Sequence, residues 1–312
     1  MKKVFVTAIG GDIGCGVIKA LKKSNHDLYI LGCDIKKYNF SYDLVDEFLE
    51  CPSYSNERAW TEFVLKTIKE NSVDYFWPVT EPEIRIVDKQ KMLFSDVKVV
   101  MNATNVLEVA MDKGKTAWYL AENGVKTPRT WNVLEEVDSK FPMIVKEKSG
   151  CGSHSVFVVK DTSELGEKFK NMKNPIVQEY IGDNSEEFTL SVFSDGNIVN
   201  YIAFKRELGF GGMSRYVELV NEPKLAEVAE KIASMFKLRG SVNVQMRKQE
   251  QDYYVFEINP RISSTVGFRT ELGFHDVAWW LDMYEGNVVP EYVCPKEKVY
   301  GVRMVEEKIF RV

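Results

Sequence analysis

Over roughly its first hundred residues the chain alternates strand-length apolar runs with helix-period segments, and this rhythm restricts the fold more than any other feature. The pattern predicts a strand over 4–8, a helix over 13–23 and a second strand over 28–33. Trp60, Phe63, Val64, Thr67 and Ile68 mark one face of a further helix, followed by strands over 75–79 and 97–101. The expectation is a doubly wound sheet of βαβ units.

A different pattern begins near Asp112. Asp112-Lys113-Gly114-Lys115 opens a helix with the apolar face Ala117, Leu120 and Ala121, and Gly124 is its stop. Strands then dominate, over 143–146, 155–159, 176–180, 188–193 and 198–204, with Ser194-Asp195-Gly196-Asn197 as a hairpin turn. Leu225, Val228, Ala229, Ile232, Ala233 and Phe236 form the stripe of an amphipathic helix ending near Gly240, before strands over 241–246 and 253–259. With 312 residues and 45% hydrophobic content, two to three units are expected.

Charge and composition exclude several classes of function. A net charge of -5 argues against a surface that neutralises many duplex phosphates, so no nucleic-acid partner is expected. No run of about 18 apolar residues is present, and no membrane partner is expected. The five cysteines are scattered without C-x-x-C spacing and the three histidines lie far apart, which fits neither a disulfide frame nor a zinc site. A soluble, cytoplasmic protein is predicted.

The segment with most chemistry is Tyr253-Tyr254-Val255-Phe256-Glu257-Ile258-Asn259-Pro260-Arg261. Strand alternation puts Glu257, Asn259 and Arg261 on one face and sends Phe256 and Ile258 into the core. A carboxylate, an amide oxygen and a fixed cation in a row suit a hard metal carrying polyphosphate. The bland alternative is a polar strand end running into an Asn-Pro turn.

Two glycine clusters read differently. Gly10-Gly11-Asp12-Ile13-Gly14-Cys15-Gly16 follows a strand and opens a helix, and Asp34 ends the next strand. Its spacing departs from the dinucleotide pattern, so a tight turn without cofactor is the reading, open at most to an anionic group of a substrate. The second cluster, Ser149-Gly150-Cys151-Gly152-Ser153-His154-Ser155, follows a strand that carries Lys146 and Lys148. Backbone N–H groups of such a loop can close over phosphate oxygens, unless it is an ordinary hairpin. Ile176-Val177-Gln178-Glu179-Tyr180-Ile181-Gly182 is an apolar strand with a polar end, suited to an adenine edge, with Glu187 available to ribose; a solvated acidic loop is the default alternative. Gln245 sits among apolar neighbours and is expected to face Glu257 and Asn259. Lys205, Arg206 and Arg269 have no carboxylate partner near them in sequence that pairs them obviously. Surface salt bridges would explain each, and an anionic substrate would explain all three.

Taken in order, these pieces resemble the ATP-grasp superfamily, in the branch that includes one half of the carbamoyl-phosphate synthase large subunit. The match rests on Asp112-Lys113, Phe141-Pro142 with Ile144-Val145-Lys146, Gly150 with Gly152-Ser153, Gln178-Glu179-Tyr180-Ile181, Glu187, Asn243-Val244-Gln245 and Glu257-Ile258-Asn259-Pro260-Arg261. The resemblance implies a Rossmann-like parallel sheet over 1–102 and an ATP-grasp domain over 103–312. The latter would comprise a small lid subdomain, about 113–180, and a large metal-binding subdomain, about 181–312, two α+β units that sandwich ATP. It further implies that Lys113 and Lys146 contact ATP phosphates beneath a mobile loop of Gly150, Gly152 and Ser153. Glu179, Tyr180 and Ile181 would meet the adenine and Glu187 the ribose. Gln245, Glu257 and Asn259 would hold two Mg²⁺ (or Mn²⁺) ions, with Glu257 bridging, and Arg261 would act with Lys146 on the transferred phosphoryl group. Many relatives carry arginine where Lys113 stands and glutamate where Gln245 stands; the synthase half has glutamine at the latter place. The chain lacks the second half, the allosteric domain and the glutaminase, so carbamoyl-phosphate synthesis itself is not expected.

The expected activity is ATP-dependent ligation of a small-molecule carboxylate to an amine (or thiol) through an acyl phosphate. Glu81, Arg206 and Arg269 are the candidate substrate contacts, Arg269 gripping a second carboxylate bidentately. A nucleotide-binding protein without catalysis and an NAD-dependent oxidoreductase built on the first glycine turn are the alternatives. Trp279-Trp280 with Tyr284 reads as core or as part of a homo-oligomer interface.

Overall fold

The computed structural model describes every residue except 139, 151–155, 183, 210, 211, 305 and 312. The opening region forms β1 (Lys2–Val6), α1 (Asp12–Lys22), β2 (Leu28–Asp34), β3 (Glu47–Glu50), α2 (Glu57–Asn71), β4 (Tyr75–Trp77), α3 (Glu81–Lys89) and β5 (Lys98–Val99). All its strand pairs are parallel, in the order β3-β2-β1-β4-β5. The doubly wound expectation holds. The four-residue strand β3 and the nine-residue helix α3 were not anticipated. Helix α3 starts where Thr80 and Glu83 close a reciprocal cap, a device that satisfies two orphan backbone donors.

The first glycine cluster serves packing. A Cβ on Gly14 would lie 2.3 Å from Ala8 O, and one on Gly16 2.2 Å from a Val266 methyl carbon. Helix α1 therefore lies against both its own turn and a helix far along the chain. Asp34 Oδ2 accepts the Gly10 N–H at 2.9 Å, so that carboxylate is spent on the turn that a dinucleotide ribose would need.

Helices α4 (Thr104–Ala110) and α5 (Lys113–Glu122) lead to a lid sheet of β6 (Thr130–Trp131), β7 (Met143–Glu147), β8 (Val156–Val159) and β9 (Pro175–Glu179), ordered β6-β9-β7-β8. Helix α6 (Thr162–Asn171) covers it; its short apolar face, Leu165 and Phe169, is set among charges and was missed in sequence. The remainder forms β10 (Glu187–Ser194), β11 (Val199–Leu208), β12 (Ser214–Val220), α7 (Pro223–Phe236), β13 (Gly240–Gln249), β14 (Asp252–Asn259), α8 (Val266–Glu271), α9 (Asp276–Glu285) and β15 (Tyr300–Val302). Its six-stranded sheet runs β14-β13-β10-β11-β12-β15, and all described pairs are antiparallel.

The two faces of this sheet differ. Phe188, Leu190 and Val192 of β10 and Val242, Val244 and Met246 of β13 bury against the stripe of α7. On the other face, register sets Glu187, Thr189 and Ser191 beside Arg247, Gln245 and Asn243. This polar strip faces the lid at one end and gives way to a core shared with the opening sheet at the other. Leu120 of α5 and Val125 lie in the α7 core, while Lys113 N at the start of α5 donates to Lys148 O just beyond the lid strand β7 at 2.8 Å. Trp279 and Trp280 are buried, at 4% and 1% exposure, against Phe193, Phe274 and Trp77. They are core, and no interface is built from them. Among the described residues no helix is long and apolar enough to cross a membrane.

Candidate active site

The lid and the large sheet enclose a cleft of about 300 Å³. Lys146, on the central lid strand β7, spans it. Its Nζ donates to Gln178 Oε1 on β9 at 2.7 Å and to Phe256 O on β14 at 3.4 Å. Burial pushes this ammonium down to about 7; Glu257 opposes the shift, and Lys113 and Arg247 add to it. A lysine poised between charged and neutral forms is paid for by its neighbours only in part.

Lys113 opens α5, where the Asp112 carboxylate caps Gly114 and Lys115 and fixes the helix start. Its Nζ donates to Gly150 O at 2.7 Å and lies 3.2 Å from Glu257 Oε1. One side chain thus ties the start of the glycine loop to the acidic strand. Gly152, Ser153 and Cys151 of that loop lie outside the described residues, as does Gly211.

Strand β14 departs from simple alternation. Gln245 pairs with Glu257, but Met246 pairs with Val255, which leaves Phe256 as the extra residue of a bulge. Val255 and Ile258 enter the core, whereas Phe256 and Glu257 both line the cleft. The expectation that Phe256 is core is corrected: its ring lies 5.6 Å from Lys146 Nζ. Gln245 stands directly across from Glu257, as expected, and Asn243 across from Asn259.

Gln245, Glu257 and Asn259 offer oxygen donors on two adjacent strands, the chemistry a hard divalent cation needs. Among the described residues no group of three or more His, Cys, Asp and Glu could hold a metal by itself. A single carboxylate fits an ion that also takes phosphate oxygens. Asn259 Oδ1 accepts from Arg261 at 3.1 Å, and its buried Nδ2 has no hydrogen-bond partner among the described residues.

At the other end of the polar strip Glu187 is bracketed by two cations. Arg206 Nη2 donates to it at 2.8 Å, and Arg247 lies 3.6 Å away and stacks on Tyr180. Glu179 and Ile181 line this end, together with Pro128, Leu208 and Met213. Arg247 was missed, although the spacing 243, 245, 247 on one strand face was a usable signal. Leu208 and Met213 carried none.

Glu81 and Arg261 meet at 3.2 Å between α3 and the end of β14. Arg269 does not join them. It is 1% exposed, its Nε and Nη2 hold both oxygens of Asp276 at 3.0 and 2.9 Å, and Nη1 donates to Ser263 and Thr265. The expected substrate grip is corrected: the carboxylate it binds bidentately is internal. Lys205 likewise pairs with Glu186, and Arg206 with Glu187. Local sequence hid these partners because neighbouring strands and helices supply them.

The sequence matches the ATP-grasp domain family over residues 110–265. It is similar to a D-alanine–D-alanine ligase of Fusobacterium nucleatum, 27% identical over 48% of this chain and 56% of that protein. A carbamoyl phosphate synthase large chain of Clostridium botulinum is 23% identical over 92% of this chain and 29% of its own length. The chain therefore spans about half or less of these curated relatives. The fold resembles the crystal structure of N5-carboxyaminoimidazole synthetase from Staphylococcus aureus complexed with ADP, with a TM-score of 0.77, 16% identity, and coverage of 97% of this chain and 82% of that one. Half of the chain matches the family, and its two sheets enclose a cleft between Lys146 and the Glu257 strand; the protein belongs to the ATP-grasp family.

Proposed function

We propose that the protein is an ADP-forming ligase that joins a small-molecule carboxylate to an amine (or thiol) at the expense of ATP. The observation that carries this reading is Lys113, which touches both the loop at Gly150 and the Glu257 carboxylate. A polyphosphate between those segments meets cations from the lid and oxygen donors from the sheet. In this reading residues 1–102 form a Rossmann-like domain and 103–312 the ATP-grasp domain, with a small lid subdomain over about 113–180 and a large metal-binding subdomain over about 181–312.

The nucleotide base lies against Glu179, Tyr180 and Ile181, and its ribose against Glu187, which Arg206 and Arg247 hold still. Lys113 and Lys146 meet the phosphates under the loop of Gly150, Gly152 and Ser153. Gln245, Glu257 and Asn259 would hold Mg²⁺, two ions in the full arrangement, which would neutralise phosphate charge. A substrate carboxylate oxygen attacks the γ-phosphorus, the bond to the ADP oxygen breaks, and an acyl phosphate forms. The amine then attacks the acyl carbon and loses a proton as phosphate leaves. Arg261 and Lys146 stabilise the charge on the transferred group, and positioning supplies most of the rest.

The test is an ADP-release screen of pooled carboxylates against pooled amines, with mass spectrometry of the products. A carboxylate–amine pair that yields ADP together with the condensed product is expected. Nucleotide binding with no pair giving a condensed product would overturn the reading in favour of a non-catalytic nucleotide-binding protein.

A further inference from the structure

The pair formed by Glu81 and Arg261 joins helix α3 of the opening region to the end of β14. Arg261 lines the nucleotide cleft, and both side chains retain some access, 15% for Glu81 and 16% for Arg261. The Glu81 carboxylate has no other partner among the described residues. Its neighbour Glu83 performs the structural task instead: Glu83 is 3% exposed and accepts from Thr80 N at 2.9 Å and Thr80 Oγ1 at 2.8 Å. Of two acids two residues apart, one closes the helix cap and the other is left facing a cation at the reaction cleft. Glu81 also occupies the first turn of α3.

Resting on the ligase reading, we propose that this pair opens to receive a zwitterion, and that the carboxylate the enzyme activates is that of an α-amino acid. The substrate carboxylate replaces Glu81 on the guanidinium of Arg261, and the substrate ammonium takes Arg261's place on Glu81. One internal pair is exchanged for two of matched sign, so no charge is left unpaired by the exchange. A simple carboxylate would satisfy Arg261 and strand Glu81. A simple amine would do the reverse.

The experiment compares α-amino acids with their des-amino and N-acetyl counterparts in two measurements on the full chain: calorimetric binding to the MgADP-loaded protein, and ADP release with pooled amines. Amino acids are expected to bind at least about tenfold more tightly than either counterpart, as a cleft charge pair implies. Glu81→Gln should collapse that ratio toward one, mainly through KM, a selectivity change that a purely structural loss would not produce. Glu81→Asp should restore part of it. ADP release from des-amino acids in preference to amino acids overturns this inference and leaves the ligase reading standing. Selective binding of amino acids with no condensed product from any pair overturns the ligase reading instead. Equal binding of all three classes, unchanged in Glu81→Gln, removes the inference outright.

Discussion

Arg261 and Arg269 lie eight residues apart in sequence, yet their guanidinium–carboxylate pairs differ in burial and in partners. Arg269 and Asp276 are at most 1% exposed, doubly bonded to each other, and backed by Ser241, Ser263 and Thr265. Arg261 and Glu81 meet through one contact at the edge of the cleft. The first pair cannot be opened without leaving a charge in the core; the second is partly exposed, with Arg261 lining the cleft. Burial and the number of alternative partners, not residue type, separate a structural arginine from one available for chemistry.

The largest predicted effect falls on the buried pair. Arg269→Met should lower stability by about 3–5 kcal/mol, because the Asp276 carboxylate is left without its partner. Urea unfolding measures this, and Arg269→Met combined with Asp276→Leu should recover much of the loss. Little change in the single variant would break the contrast. Arg261→Met should do the opposite. Stability changes by about 1 kcal/mol or less, while ADP release with the best substrate pair falls about 10²–10³-fold. Comparable damage to fold and turnover in both variants would mean that the two pairs do not differ as described.

A smaller effect concerns Lys146, the cation that can titrate where Arg261 cannot. Its folded value lies below the unfolded one, so from about 7 upward the free protein holds a neutral amine while the unfolded chain is still protonated; stability from this group therefore rises with pH over that window. Bound phosphates favour the ammonium. MgADP binding at pH near 8 should take up protons, and affinity should weaken as pH rises above about 7. Calorimetry in buffers of different ionisation enthalpy reads the uptake, which Lys146→Met should remove. Proton release on binding would contradict the assignment of Lys146 to the phosphates.

The alternation of strands and helices made the opening sheet legible, because each element buries one apolar face with its own period. The amphipathic stripe from Leu225 to Phe236 and the hairpin at Asp195-Gly196 were legible for the same reason. Phe256 was not: a bulge shifts the faces without any mark in the residue pattern, and it turned an expected core ring into a cleft wall. The partners of Lys205, Arg206 and Arg269 were hidden because sheet register and helix packing decide which charges meet. Glu257, Asn259 and Gln245 could be read together because strand spacing alone brings them to one face.

Glu257 stands at the centre of the account, touched by Lys113 and opposite Gln245. The most direct measurement is ADP release by Glu257→Gln, with near-ultraviolet circular dichroism confirming a native fold. The variant keeps the shape and removes the charge, so turnover should fall to background. Release at the unaltered rate would contradict the placement of a magnesium–nucleotide complex in this cleft.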